Sequence, residues 1–207
     1  GQGCERWYRA VWALRAGGSA RSVVEGDAGV LCLMRTAMAA GVAIINPDTF
    51  LETPSGRVWT PERSKAAWDR CFQVLEDHLR ESTPSGPHRL LIVCGLQGAG
   101  KSHWIRQNAQ RYAPCICFDA ALPGIRHRRP ILELASRYSA EAMAVWIDTP
   151  LSVALTRNAL RAPDKRVPED SVRSVAALFE PPSAEEGYSN VLRLDGSTPA
   201  FHPVPQH

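Results

Sequence analysis

The sequence predicts an α/β fold: a mostly parallel, five-stranded sheet between layers of helices, three layers in all. Three observations carry this expectation. Short apolar runs recur at residues 42–45, 90–94, 115–118, 142–147 and within 188–194, and their continuous rather than alternating pattern suits strands buried on both faces. Segments with apolar residues at helical spacing lie between them. The run 90–94 passes through a glycine-rich octet into Trp104, Ile105 and Ala109, so strand, loop and amphipathic helix follow in that order.

The octet is the most specific local signal. Gly95, Leu96, Gln97, Gly98, Ala99, Gly100, Lys101 and Ser102 spell G-x-x-x-x-G-K-S, a P-loop. Its glycines let successive N–H groups turn inward around a polyphosphate. The Lys101 ammonium is a mobile charge for the β- and γ-phosphates, and the Ser102 hydroxyl, at the start of a helix, is placed to ligate Mg²⁺. The octet as a whole is therefore expected to bind ATP.

Composition narrows the remainder. A chain of 207 residues accommodates one sizeable α/β core with an appendage. Its formal net charge of +3 does not demand a nucleic-acid partner. The cysteines, Cys4, Cys32, Cys71, Cys94, Cys115 and Cys117, form no C-x-x-C pair, which points away from a disulfide framework or zinc site and toward a reducing cytoplasmic setting. The most apolar window, 28–45, is interrupted by Arg35 and does not read as a membrane span.

Along the chain, residues 1–40 read as an extension, weakly helical around 5–15 and 31–39 or disordered; their arginines also fit a transit peptide, which Glu5, Glu25 and Asp27 oppose. The kinase-like core is expected over 41–195. The strand 42–45 turns out through Asn46, Pro47 and Asp48, and Thr60 with Pro61 starts a helix as N-cap and first residue. Ala67, Trp68, Cys71, Phe72, Leu75 and Leu79 form that helix's packing stripe, and a Ser- and Pro-rich loop at 82–87 leads to the P-loop strand. The strand 115–118 ends in Asp119, a carboxylate placed to support magnesium or to orient a nucleophile. Arg126, His127, Arg128 and Arg129 open the next helix, either as a solvated start or as a phosphate-facing cluster. After the strand 142–147 comes the helix 151–160, and Arg157 and Arg161 sit four apart on a single face. A loop, a helix through Val172 and Val175, a last strand and a Pro-rich tail at 196–207 complete the chain.

The segment RNALRAPDKRVPEDSVRSVAALFEPPSAEEGYSNVLRL resembles the lid and C-terminal part of the polynucleotide-kinase-like P-loop kinases, with R-N-x-x-R, V-P-x, F-E-x-P and E-G-Y in family order. The resemblance covers roughly 41–195 and implies a P-loop NTPase-type sandwich with a helical lid. It makes Arg157 and Arg161 lid arginines that clamp ATP phosphates. In that family a strand with D-x-x-R, whose aspartate is the general base, follows the P-loop helix. Here the matching stretch around Asp48 precedes the P-loop, while the Asp119 strand resembles the family's later D-A-T strand. The chain therefore resembles a circular permutation, with spatial strand order 42–45, 115–118, 90–94, 142–147, 191–194. Asp48 then matches the base and Asp119 the magnesium-side carboxylate, although the two roles could be exchanged. The family arginine three residues after the base is Leu51 here; Arg57, Arg63 and Arg126 are the candidate replacements.

The function so implied is an ATP- and Mg²⁺-dependent kinase acting on a hydroxyl acceptor, a polynucleotide 5′-OH or nucleoside-like group. A sugar or antibiotic is the alternative acceptor. A regulatory nucleotide-binding ATPase without an acceptor is the reading of a different class, and it lacks an identifiable partner surface in the sequence.

Overall fold

The computed structural model describes residues 41–81, 89–198 and 200–203. The expected helices at 5–15 and 31–39 and the loop at 82–87 lie outside the described residues.

In chain order the strands are β1 (Val42–Ile45), β2 (Glu52–Thr53), β3 (Gly56–Arg57), β4 (Arg89–Cys94), β5 (Cys115–Asp119), β6 (Glu141–Asp148), β7 (Asn190–Asp195) and β8 (His202–Pro203). The helices are α1 (Pro61–Arg80), α2 (Lys101–Asn108), α3 (Ile125–Arg137), α4 (Leu151–Ala159) and α5 (Glu169–Ala177). The five continuous apolar runs form a parallel sheet in the order β1-β5-β4-β6-β7, the order expected from the sequence. Parallel strands present all their C-terminal ends along one rim, and in open α/β sheets that rim is where ligands sit.

Side chains along each strand alternate between two cores. Leu90, Ile92, Ile116, Phe118 and Ala144 pack with the α1 stripe and with Ile131 and Leu134 of α3. Leu91, Val93, Cys117 and Val145 face the other way, toward Trp104 and Ile105 of α2, Ala154 of α4 and Val175 of α5. The α1 stripe is buried at each of its six expected positions, and Trp68 and Phe72 lie with ring centroids 6.0 and 6.2 Å from Phe118. Thr60 caps α1 as expected, accepting from the Arg63 N–H at 3.2 Å. No helix among the described residues is long and apolar enough to cross a membrane.

The Pro-rich tail does more than trail from β7. Its residues His202–Pro203 pair antiparallel with Leu194 and Asp195, adding a sixth strand, and Phe201 is buried in the α2-side core. Residue-level apolarity in 196–207 is too sparse to signal this edge.

The basic cluster before α3 is divided by burial. Arg126 and Arg129 are exposed, whereas His127 and Arg128 are buried. Arg128 reaches Glu186 by two hydrogen bonds of 2.7 and 2.8 Å and donates to the carbonyls of Leu122 and Glu180. Glu180 accepts from the Ile125 N–H at 2.8 Å, putting a carboxylate at the positive end of α3. Removing one member of a buried, fully bonded ion pair leaves the other uncompensated, so Glu186→Ala is expected to cost about 3–5 kcal/mol of stability in urea unfolding. His127 Nδ1 accepts from the Gly124 N–H at 3.1 Å. Burial, aided by the Arg126 charge, pushes its pKa from 6.5 down to about 4. The unfolded chain therefore binds the extra proton between those values, and stability is expected to fall as pH drops from 6.5 toward 4, a loss that His127→Gln should blunt.

Candidate active site

Gly95 follows β4 and Asn46 follows β1, while Asp119 ends β5, Thr149 follows β6 and Gly196 follows β7, so one rim carries these five positions. Main-chain bonds tie the rim together: Gly95 N–H to Ala121 O at 3.2 Å, and Gly196 N–H to Asp148 O at 2.8 Å.

The octet forms a tight loop into α2. Gly95 and Gly98 have φ of +141° and +87°, and a Cβ on them would stand 2.5 Å from Ile147 O and 2.2 Å from Ala154 O. These two positions therefore exclude side chains by backbone contact as well as by φ. Leu96, Gly98 and Ala99 are buried, and Gln97 and Gly100 are half-buried. Lys101 Nζ folds back over the loop to donate to Gly95 O at 3.0 Å and Leu96 O at 2.9 Å. Burial lowers its pKa, opposed by the charge of Asp119 and reinforced by that of Arg161.

Ser102 and Asp119 meet at the head of α2, where Ser102 Oγ donates to Asp119 Oδ2 at 2.6 Å. Asp119 is 2% exposed. The same oxygen accepts from Asn46 Nδ2 at 3.0 Å, and Asn46 Oδ1 accepts from the Asp48 N–H at 2.8 Å. Asn46 thus spans the ends of β1 and β5 and links the backbone of one candidate carboxylate to the side chain of the other. From the sequence Asn46 reads only as part of a turn; its signal is an Asn-Pro pair at a strand's C-terminal end, which marks a side-chain cap for the short 3₁₀ turn Pro47–Leu51.

Asp48 is bound through Oδ2 by Arg57 Nη1 at 2.7 Å, and Arg57 also pairs with Glu52 Oε1 at 2.8 Å. The β2–β3 hairpin sets Arg57 opposite Glu52, and so returns an arginine to Asp48 from nine residues away. Leu51, at the position where the resemblance leads one to expect an arginine, is buried in the core. Arg63 instead donates to Val58 O and Leu51 O, and Arg126 lies in a groove of about 440 Å³ at the start of α3.

The two arginines read as a pair occupy different places. Arg157 donates to Ala99 O at 3.4 Å, Gly196 O at 2.7 Å and Ser197 O at 3.0 Å. Together with the buried Thr149 hydroxyl, which donates to Ala99 O at 3.1 Å, it braces the underside of the loop. Arg161 lies beyond the end of α4, half-buried, and among the described residues its guanidinium has no hydrogen bond or salt bridge. Burial lowers its pKa, and the charges of Asp48 and Asp119 act against that. Asp48, Asp119, Lys101 and Arg161 therefore share one electrostatic neighbourhood, although Asp48 and Lys101 are far apart in the chain.

The residues fit a nucleoside triphosphate with Mg²⁺. A hydroxyl and a carboxylate 2.6 Å apart are hard oxygen donors, and Mg²⁺ takes one or two of these beside phosphate and water oxygens. The positive φ of Gly95, Gly98 and Gly100 and the Lys101 charge suit phosphate. No protein-family model matches this chain, and no curated protein matches it.

Proposed function

We propose that this protein is an ATP- and Mg²⁺-dependent kinase of the P-loop type, transferring the γ-phosphoryl group to a hydroxyl of a polynucleotide 5′ end or nucleoside-like acceptor. The observation that carries the reading is the Ser102–Asp119 contact of 2.6 Å at the mouth of the glycine loop, with Lys101, Asp48 and Arg161 gathered around it. The sheet with helices on both faces is then the three-layer P-loop sandwich. The segment from Arg161 to Val167 is its lid.

Bound ATP with Mg²⁺ supplies the phosphoryl group and neutralises part of its charge. The loop amides and Lys101 hold the phosphates, with Lys101 exchanging its two carbonyl partners for phosphate oxygens. Ser102 and Asp119 stand on the metal side. Asp48, oriented by Arg57, takes the proton of the acceptor hydroxyl. Arg161 stabilises charge that grows on the transferred group. Arg57 and Glu52, paired with each other, frame the acceptor side.

The roles of the two arginines separate in variants. Arg161→Ala is expected to leave stability unchanged and to lower kcat by roughly ten- to a thousandfold with little change in KM for ATP. Arg157→Ala, which strips a brace from the loop, is expected to lower the melting temperature and ATP affinity together. Equal kinetic effects at unchanged stability would return Arg157 to the phosphates. The acceptor class is tested by competition, with 5′-OH oligonucleotides, nucleosides, sugars and aminoglycosides offered together with ATP. A sugar or aminoglycoside preferred over every nucleic-acid acceptor would overturn the acceptor assignment.

A further inference from the structure

The β2–β3 hairpin and the segment after α4 touch through two carboxylates, Asp164 and Glu52. In the 3₁₀ turn Pro163–Lys165, Asp164 Oδ2 accepts from the Arg57 N–H at 3.2 Å. Beside it Lys165 Nζ lies 3.9 Å from Glu52 Oε1. Gly56 makes the approach possible: its φ is +110°, and a Cβ there would stand 3.3 Å from Asp164 Oδ2. Arg57 is thus held by Asp164 on its main chain, while its side chain holds Asp48 and Glu52. Arg161 stands three residues before Asp164 on the same segment.

We propose that Asp164 is a positioning residue that ties the Arg161 segment to Asp48 through Arg57, so that seating Arg161 on nucleotide phosphates and orienting Asp48 toward the acceptor become a single movement. What the tie transmits rests on the kinase reading; the tie itself is a property of the fold. The hairpin is small, two residues per strand, and a two-stranded ribbon of that size has little stability of its own. The Asp164 bond joins Thr53 Oγ1–Gly56 O and Arg57–Glu52 in fixing it, and a hydrogen bond to a charged group contributes more than a neutral one. Glu52 takes both Arg57 and Lys165, so opposite charges meet across the contact.

Hydrogen exchange on the full chain tests the tie and its use separately. Without nucleotide, Asp164→Ala should speed exchange of residues 52–58 about tenfold, while Asp164→Asn, which keeps an oxygen acceptor, should retain most of the protection. Equal exchange in wild type and Asp164→Ala overturns the tie. With a non-hydrolysable ATP analogue and Mg²⁺, the wild type should gain protection at both 95–102 and 52–58, and Asp164→Ala only at 95–102. Protection of 52–58 that persists in Asp164→Ala, or is missing from the wild type while 95–102 is protected, overturns the coupling. Protection at neither segment overturns the nucleotide reading and the coupling with it, and the nucleotide-free comparison still decides the tie. In transfer assays Asp164→Ala should lower kcat about tenfold with KM for ATP unchanged; a change confined to that KM overturns the positioning role.

Discussion

Lys101→Ala is expected to reduce phosphoryl transfer by about a thousandfold or more, since it removes the one mobile cation that the loop holds over its own carbonyls. The same change should leave the fold in place. Lys101 packs no core, and its loss removes two hydrogen bonds, to Gly95 O and Leu96 O, a stability cost of about 1–3 kcal/mol. Circular dichroism and urea unfolding monitor the fold, and ATP titration with turnover monitors the site. Wild-type affinity and turnover in this variant would remove the P-loop reading altogether.

Separating the two aspartates gives the second large effect. Asp48→Asn should abolish transfer to an acceptor while ATP binding and its magnesium dependence stay close to normal, because a base acts on the acceptor hydroxyl alone. Asp119→Asn should instead weaken the magnesium dependence and all turnover together, including slow hydrolysis to water. Asp119 accepts from both Ser102 and Asn46 through one oxygen, so an amide there also disturbs the hydroxyl on the metal side. The opposite pattern, with transfer lost only in Asp119→Asn and magnesium dependence altered only in Asp48→Asn, would exchange their roles.

The parts of this fold that were legible in the sequence are those encoded over short spans. A continuous apolar run, a fixed glycine spacing and a Thr-Pro cap each specify local backbone, and β4, the loop, α2 and α1 follow from them. The order of the strands needed the resemblance as well, since periodicity says nothing about which strand neighbours which. What remained hidden depends on contacts between distant residues. The turn at 53–56 reads from its Pro and Gly, and Arg57 is one of three candidate arginines, but that the hairpin brings Arg57 rather than Arg63 or Arg126 to Asp48 follows only from the folded chain. Arg157 and Arg161 look equivalent as a pair four apart, yet α4 ends between them; one is captured by carbonyls of the loop and the β7 exit, and the other is not. Arg128 sits within a run of basic residues that suggests a solvated face, and Glu186, distant in sequence, together with the Leu122 and Glu180 carbonyls makes its burial tolerable. The tail strand β8 rests on pairing with β7 and on one buried phenylalanine.

The most direct test is a label-transfer experiment with ATP labelled in its γ-phosphate, Mg²⁺ and 5′-OH oligonucleotides or nucleosides, with hydrolysis to inorganic phosphate followed in the same reactions. The account predicts label on the acceptor hydroxyl that requires Mg²⁺ and disappears in Lys101→Ala and Asp48→Asn. Label that remains in ATP, or is released only to water whatever acceptor is offered, would contradict it.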